Sequence, residues 1–194
     1  APIGVLADLL AAAVNPNVGA FTLSPMATEI EAQTIRWLAD LIGYPSTGGG
    51  LLVSGGNMAN FVGFLAARQA KAPWALKADG LAVDHPQLVV YASQETHTWI
   101  DKAAELFGLG TKAVRWIGTN AKQQMDVTAL EAQIIADRAA GHCPFLIVGT
   151  AGTTSTGATD PLPTMAAICR KYDLWFHVDG AYGGFGILAE QTAG

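Results

Sequence analysis

Four short stretches of the chain carry residue types that could do chemistry. The first ends on Asp179, which closes an apolar, strand-forming run over residues 174–178 and opens the loop Gly180-Ala181-Tyr182-Gly183-Gly184. An acid followed by a loop nearly free of side chains suits a flat ligand lying against backbone, with one charged atom facing the carboxylate. It also suits an Asp that caps the following turn. The second stretch, Ser54-Gly55-Gly56-Asn57, leads into a helix. Glycines there let backbone N–H groups point at an anion, and the helix dipole favours a phosphate. A helix end contributes only about 0.3–2 kcal/mol, so several donors must converge, and an ordinary tight turn has the same composition. The third is His97, in Gln94-Glu95-Thr96-His97. Its imidazole could stack on an aromatic ligand or move a proton near neutral pH, or it could be a surface group at a helix start. The fourth, TAGTTSTG over 150–157, offers hydroxyls to a polar ring substituent or forms a turn held by its own Ser and Thr side chains.

The elements that must position these stretches follow from periodicity and punctuation. Residues 3–14 read as a helix, followed by a loop over 15–19. Ser24 as N-cap and Pro25 at the first helical position start a second helix. Glu29 and Glu31 lie near its positive end, and Ile30, Trp37, Leu38 and Leu41 recur at helical spacing. Gly43 and Pro45 end it. A short strand over 51–53 then precedes a helix over 58–71 and a polar connection over 72–86. Strands over 88–92, 113–117, 145–149 and 174–178 alternate with helices over 95–107, 126–140 and 161–172, with Asp126 as a cap. The pattern predicts one α/β domain with a mainly parallel sheet and helices on both faces. In such sheets ligands bind beyond the carboxyl ends of the strands, and each of the four stretches follows a different strand.

Composition bounds the function. The chain has 194 residues, 51% of them hydrophobic, enough for a substantial core. A net charge of −5 without any Lys/Arg cluster argues against nucleic acid and anionic membrane surfaces. No run approaches the roughly 18 apolar residues of a membrane span, and residues 3–14 lack the basic leader of a signal peptide. Cys143 and Cys169 read as buried free thiols of a reducing compartment. His177 and Asp179 share one strand face, but His85, His142 and the cysteines complete no metal spacing. No Walker Lys follows the 54–57 turn. The glycines over 108–113 run from helix into strand, the wrong context for a dinucleotide site. Ser54 and Ser93 lack a nucleophile elbow. The chain opens almost at once on a helix and closes soon after an apolar segment, so it reads as part of a larger protein.

An anion cradle, a stacking imidazole, a hydroxyl loop and an acid describe pyridoxal 5′-phosphate better than a nucleotide. A carboxylate against the pyridine nitrogen favours the protonated ring, each pKa unit being worth about 1.4 kcal/mol. The protonated ring stabilises a carbanion at a substrate's Cα.

In the order in which they occur, FTLSP (21–25) with Glu29 and Glu31, SGGNMAN (54–60), residues 91–97, TAGTTSTGATD (150–160) and FHVDGAYGG (176–184) resemble the group II pyridoxal-phosphate-dependent amino-acid decarboxylases, of fold type I. The resemblance implies that Gly55, Gly56 and Asn57 hold the phosphate and that His97 stacks on the ring. It further implies that Thr154 lies near the phenolic oxygen, Asp179 pairs with the ring nitrogen, and Ala181 presses on the opposite face. Gly180 stands where the family more often has Ala. The family attaches its cofactor through the Lys of a His-Lys pair downstream of the Asp segment. Lys71, Lys77, Lys102, Lys112, Lys122 and Lys171 are the lysines here, and none is in such a pair. The chain therefore corresponds to the central part of the large domain, without the family's amino-terminal segment, Lys segment and small domain. The implied whole protein is a cytoplasmic homodimer releasing CO₂ from an L-amino acid, its side-chain specificity set by the missing segments and a neighbouring subunit, with Phe21 and Leu23 as contributors. Other fold type I activities remain open on sequence (aldehyde synthase, aminotransferase, carbon–carbon lyase), as does a scaffold without the Lys.

Overall fold

The computed structural model describes residues 1–81 and 84–189. The expected connection over 72–86 therefore lies partly, and the chain end at Gly194 wholly, outside the described residues. The chain divides into two compact units, residues 1–53 and 54–194.

In the first unit, helix α1 (Pro2–Val14) is followed by a 3₁₀ turn (Phe21–Leu23) and helix α2 (Pro25–Leu41). Both helices carry Pro in the first turn, where the missing N–H has no intrahelical partner to lose. The Ser24 side chain forms no capping hydrogen bond, contrary to the sequence expectation. Its carbonyl oxygen instead accepts from the Thr28 hydroxyl at 2.9 Å. Residues 51–53 form no strand, a second departure. The Leu52 N–H donates to the Glu31 carboxylate at 2.8 Å, so a side chain takes the donor that a ladder would have used. Neither helix has a buried residue, and Ile30, Trp37 and Leu41 are exposed.

The second unit opens with helix α3 (Gly55–Lys71) and a short helix α4 (Leu76–Asp79). Strand β1 (Leu88–Ser93), helix α5 (Trp99–Leu106), strand β2 (Val114–Ile117) and helix α6 (Val127–Ala139) come next. They are followed by strand β3 (Cys143–Thr150), helix α7 (Leu162–Lys171), strand β4 (Trp175–Asp179) and a 3₁₀ segment (Gly184–Leu188). The strands are parallel, in the order β2-β1-β3-β4.

Every residue of β1 is buried, as expected of a strand covered on both faces. Alternation sends Leu88, Val90 and Ala92 to one side, where Phe64 and Ala67 of α3 and Trp99, Ile100 and Ala103 of α5 meet them. Val89 and Tyr91 point the other way, onto Leu130 and Ile134 of α6 and Met165 and Ile168 of α7. On that second face Asp137 of α6 is buried and binds three partners. The Tyr91 hydroxyl donates to it at 3.0 Å, Arg115 Nε at 2.9 Å and Gln133 Nε2 at 3.1 Å. The contact with Asp137, after burial itself, pushes the Tyr91 hydroxyl pKa up.

Helix α6 starts as expected: Asp126 accepts from the N–H groups of Thr128 and Ala129. Helix α5 begins later than its periodicity suggests. Thr96 closes a turn onto the Ser93 carbonyl at 2.9 Å, and the Trp99 N–H donates to His97 Nδ1 at 3.2 Å. The chain leaves β1 for β2 on one side and then crosses to β3 on the other. The strand order thus reverses between β1 and β3, and a crevice opens at the carboxyl ends there.

Candidate active site

A cavity of about 420 Å³ lies at this end of the sheet, within the size range of small-molecule sites. All seven residues singled out from sequence line it: Gly55, Gly56, Asn57, His97, Thr154, Asp179 and Ala181. Ser54, Asn60, Thr150, Gly152 and Tyr182 complete the wall.

The floor is Asp179, the last residue of β4 and 7% exposed. Its Oδ1 accepts from the Ala181 N–H at 3.1 Å, so the turn-capping role is real. Its Oδ2 accepts from Asn60 Nδ2 at 3.0 Å and from the Trp99 indole N–H at 2.8 Å. Three N–H donors thus hold one carboxylate in place. Asn60 and Trp99 were not singled out from sequence. The signal for Asn60 was its phase: with Phe64 and Ala67 it forms the buried stripe of α3, a polar residue where the helix is otherwise apolar.

His177, two residues before Asp179, meets Asn60, with Nε2 2.7 Å from Oδ1. Among the described residues no three His, Cys, Asp or Glu side chains converge as metal ligands. Burial holds the His177 pKa below its ordinary 6.5, against an upward pull from Asp179, which keeps the imidazole neutral near pH 7. The ring lies over Gly63, where a Cβ would come within 2.5 Å of Nδ1. Only glycine admits it.

One wall is the amino end of α3. Gly55 sits at φ +82°, the Ser54 side chain caps nothing, and the first turn holds no acid. The leading N–H groups of a helix have no intrahelical acceptor, so this end can receive an anion. His97 is exposed at the cavity edge, with Nδ1 committed to the start of α5.

The loop after β3 forms another wall. Its own side chains hold part of it as a turn. Thr153 and Thr156 join hydroxyls at 2.8 Å, and Ser155 donates to Glu95. Asp160 is buried and accepts from the N–H groups of Met125 and Thr150 at 2.8 and 2.9 Å. Burial raises its pKa, partly offset by those two donors. Thr154 remains exposed in the cavity wall. Thr150 Oγ1 is buried without a hydrogen-bond partner, a cost that a polar ligand group nearby would relieve. The loop after β4 lies directly on this one. The Gly183 N–H donates to the Ala151 carbonyl at 2.9 Å, and a Cβ on Gly183 would collide with that same oxygen.

The cavity therefore offers an anion-receiving helix end, an imidazole, hydroxyls, a small flat wall at Ala181 and a fixed carboxylate. These groups fit a phosphorylated aromatic ring carrying a basic nitrogen.

Comparisons with known proteins agree with this chemistry. The family model described as pyridoxal-dependent decarboxylase conserved domain matches residues 2–194. An aromatic-L-amino-acid decarboxylase of Bacillus atrophaeus is 39% identical over 189 residues, covering 97% of this chain and 38% of that protein. An acidic amino acid decarboxylase of Homo sapiens is 33% identical over 187 residues, covering 96% of this chain and 35% of that protein. Among solved structures, mouse CSAD superposes with a TM-score of 0.89 at 34% identity, over 97% of this chain and 39% of that one. The chain thus spans under two-fifths of the length of these relatives. Sequence, fold and the groups lining the cavity lead to one conclusion: this chain belongs to the pyridoxal-dependent decarboxylase family.

Proposed function

We propose that the whole protein uses pyridoxal 5′-phosphate to decarboxylate an L-amino acid, releasing CO₂ and the amine. The observation that carries this reading is the convergence of the α3 amino end, His97, Thr154 and a triply hydrogen-bonded Asp179 on one cavity. Once bound, the cofactor supplies an electron-poor conjugated ring that accepts the electron pair freed when the substrate loses its carboxylate.

The chain's own residues position and tune that ring. Gly55, Gly56 and Asn57 bind the phosphate through the helix end. His97 stacks on one face, Ala181 limits the other, and Thr154 meets the phenolic oxygen. Asp179 holds a proton on the ring nitrogen. Among the described residues none lining the cavity is a lysine, and no lysine of this chain stands in a His-Lys pair. On this reading the attaching lysine is none of these, and residues 1–194 alone are expected to form no covalent cofactor complex. The substrate is a small molecule, an L-amino acid, and the working assembly is a homodimer. The two free thiols, Cys143 and Cys169, suit a cytoplasmic protein.

The test is to supply the whole protein with pyridoxal 5′-phosphate and a panel of L-amino acids, measuring amine and CO₂. Equimolar release from at least one acid is expected. Tight cofactor binding with no amine from any acid would overturn the reading.

A further inference from the structure

Asp179 can serve a ring nitrogen only if one of its lone pairs is aimed and free, and the structure shows how that is arranged. Oδ2 accepts two hydrogen bonds, from Asn60 at 3.0 Å and from Trp99 at 2.8 Å, which occupy both its lone pairs. Oδ1 accepts one, from the Ala181 N–H at 3.1 Å, and keeps one lone pair for a ligand.

The Asn60 amide could in principle face either way, but only one orientation works. With Nδ2 toward Asp179, its Oδ1 faces His177 Nε2 at 2.7 Å. Turned over, the amide oxygen would meet the carboxylate. Because Asn60 presents an acceptor, His177 Nε2 must carry the proton. Gly63 leaves room for the imidazole, and the Trp99 ring meets it edge-on, with centroids 5.5 Å apart. Helices α3 and α5 and strand β4 thus each contribute to one chain of donors, running from His177 through Asn60 to Asp179.

We infer that Asn60 and His177 are positioning residues: His177 fixes the Asn60 amide, and Asn60 with Trp99 locks Oδ2 so that Oδ1 alone meets the cofactor's ring nitrogen. The inference rests on the reading that Asp179 pairs with that nitrogen, and it adds which oxygen does so and what aims it.

The test compares two probes on the whole protein: pyridoxal 5′-phosphate and its deaza analogue, in which C–H replaces the ring nitrogen. Asn60→Leu and His177→Phe are each expected to weaken the natural cofactor roughly tenfold, on the scale of one hydrogen bond to a charged group. The analogue, with no nitrogen to meet, should bind these variants as it binds the wild type. His177→Gln keeps an N–H donor toward Asn60 and should restore the natural cofactor's affinity. Should Asn60→Leu fail to fold, the His177→Phe and His177→Gln pair decides. Equal weakening of both probes, or no weakening of either, would overturn the inference while leaving the proposed activity standing. A wild-type protein that binds no pyridoxal 5′-phosphate would overturn both.

Discussion

Asp179 is the residue on which the chemistry turns. In the whole protein, Asp179→Ala should lower turnover on the order of 10²–10³-fold, the scale of removing one fixed electrostatic contact from a developing charge. Near-normal amine release by that variant would remove the role assigned to it. His97→Phe keeps an aromatic face for stacking but no ring nitrogen. It should retain the cofactor while turnover falls roughly 100-fold, the lower end of what a proton-handling group contributes. An equilibrium titration of the cofactor beside a steady-state assay separates the two effects. His177 carries a pH signature. Its folded pKa lies below the ordinary 6.5, so the unfolded chain binds the proton first as the pH falls. Stability should be full above 6.5 and decline below it until the folded form protonates too. Thermal midpoints measured across that range should fall toward acid, and His177→Phe should flatten the slope. Asp160, whose folded pKa is raised by burial, acts in the opposite sense, since its folded form takes up a proton before the unfolded chain does.

At the scale of elements, the sheet holds the site because its two faces are anchored differently. The face under α3 and α5 is apolar up to the cavity, where Asn60 and Trp99 reach Asp179. The face under α6 and α7 carries the Asp137 cluster, which ties β1 and β2 to α6 through Tyr91 and Arg115. Asp137→Ala would leave the partly buried Arg115 and the buried Tyr91 hydroxyl without their acceptor. Removing one partner of a buried ion pair costs about 3–5 kcal/mol. Chemical denaturation of the variant should show a loss of that size; a loss within error of zero would mean that solvent already screens the cluster.

For the molecule as a whole, the distribution of exposed apolar residues differs between the units. In the first unit, Ile3, Leu6, Leu9 and Leu10 of α1 and Ile30, Trp37 and Leu41 of α2 are all exposed. Surface of that kind is what a protein contact would cover, and the chain spans under two-fifths of its relatives' length. The whole protein is expected to sediment as a dimer at micromolar concentration. A monomer with full activity would sink the homodimer reading.

The alternating α/β order and the four strands of the sheet were legible in the sequence because each strand is a mainly apolar run, interrupted only by Arg115 in β2 and His177 in β4, bounded by Gly, Pro or polar turns. Three of the functional stretches, those at His97, 150–157 and Asp179, were legible because a parallel sheet sends the carboxyl ends of its strands to one edge; the fourth, 54–57, follows no strand and reaches the cavity as the amino end of α3. Local pairing went wrong where a competing partner was near. Residues 51–53 gave a backbone donor to Glu31 instead of to a strand, and Ser24 offered its carbonyl rather than its hydroxyl. What aims Asp179 was hidden for a different reason. Asn60 lies 119 residues from it and Trp99 80 residues, and neither has a neighbour in sequence that reveals its partner. Sequence periodicity decides which face of an element is buried; only the folded packing of α3, α5 and β4 decides which polar groups on those faces meet.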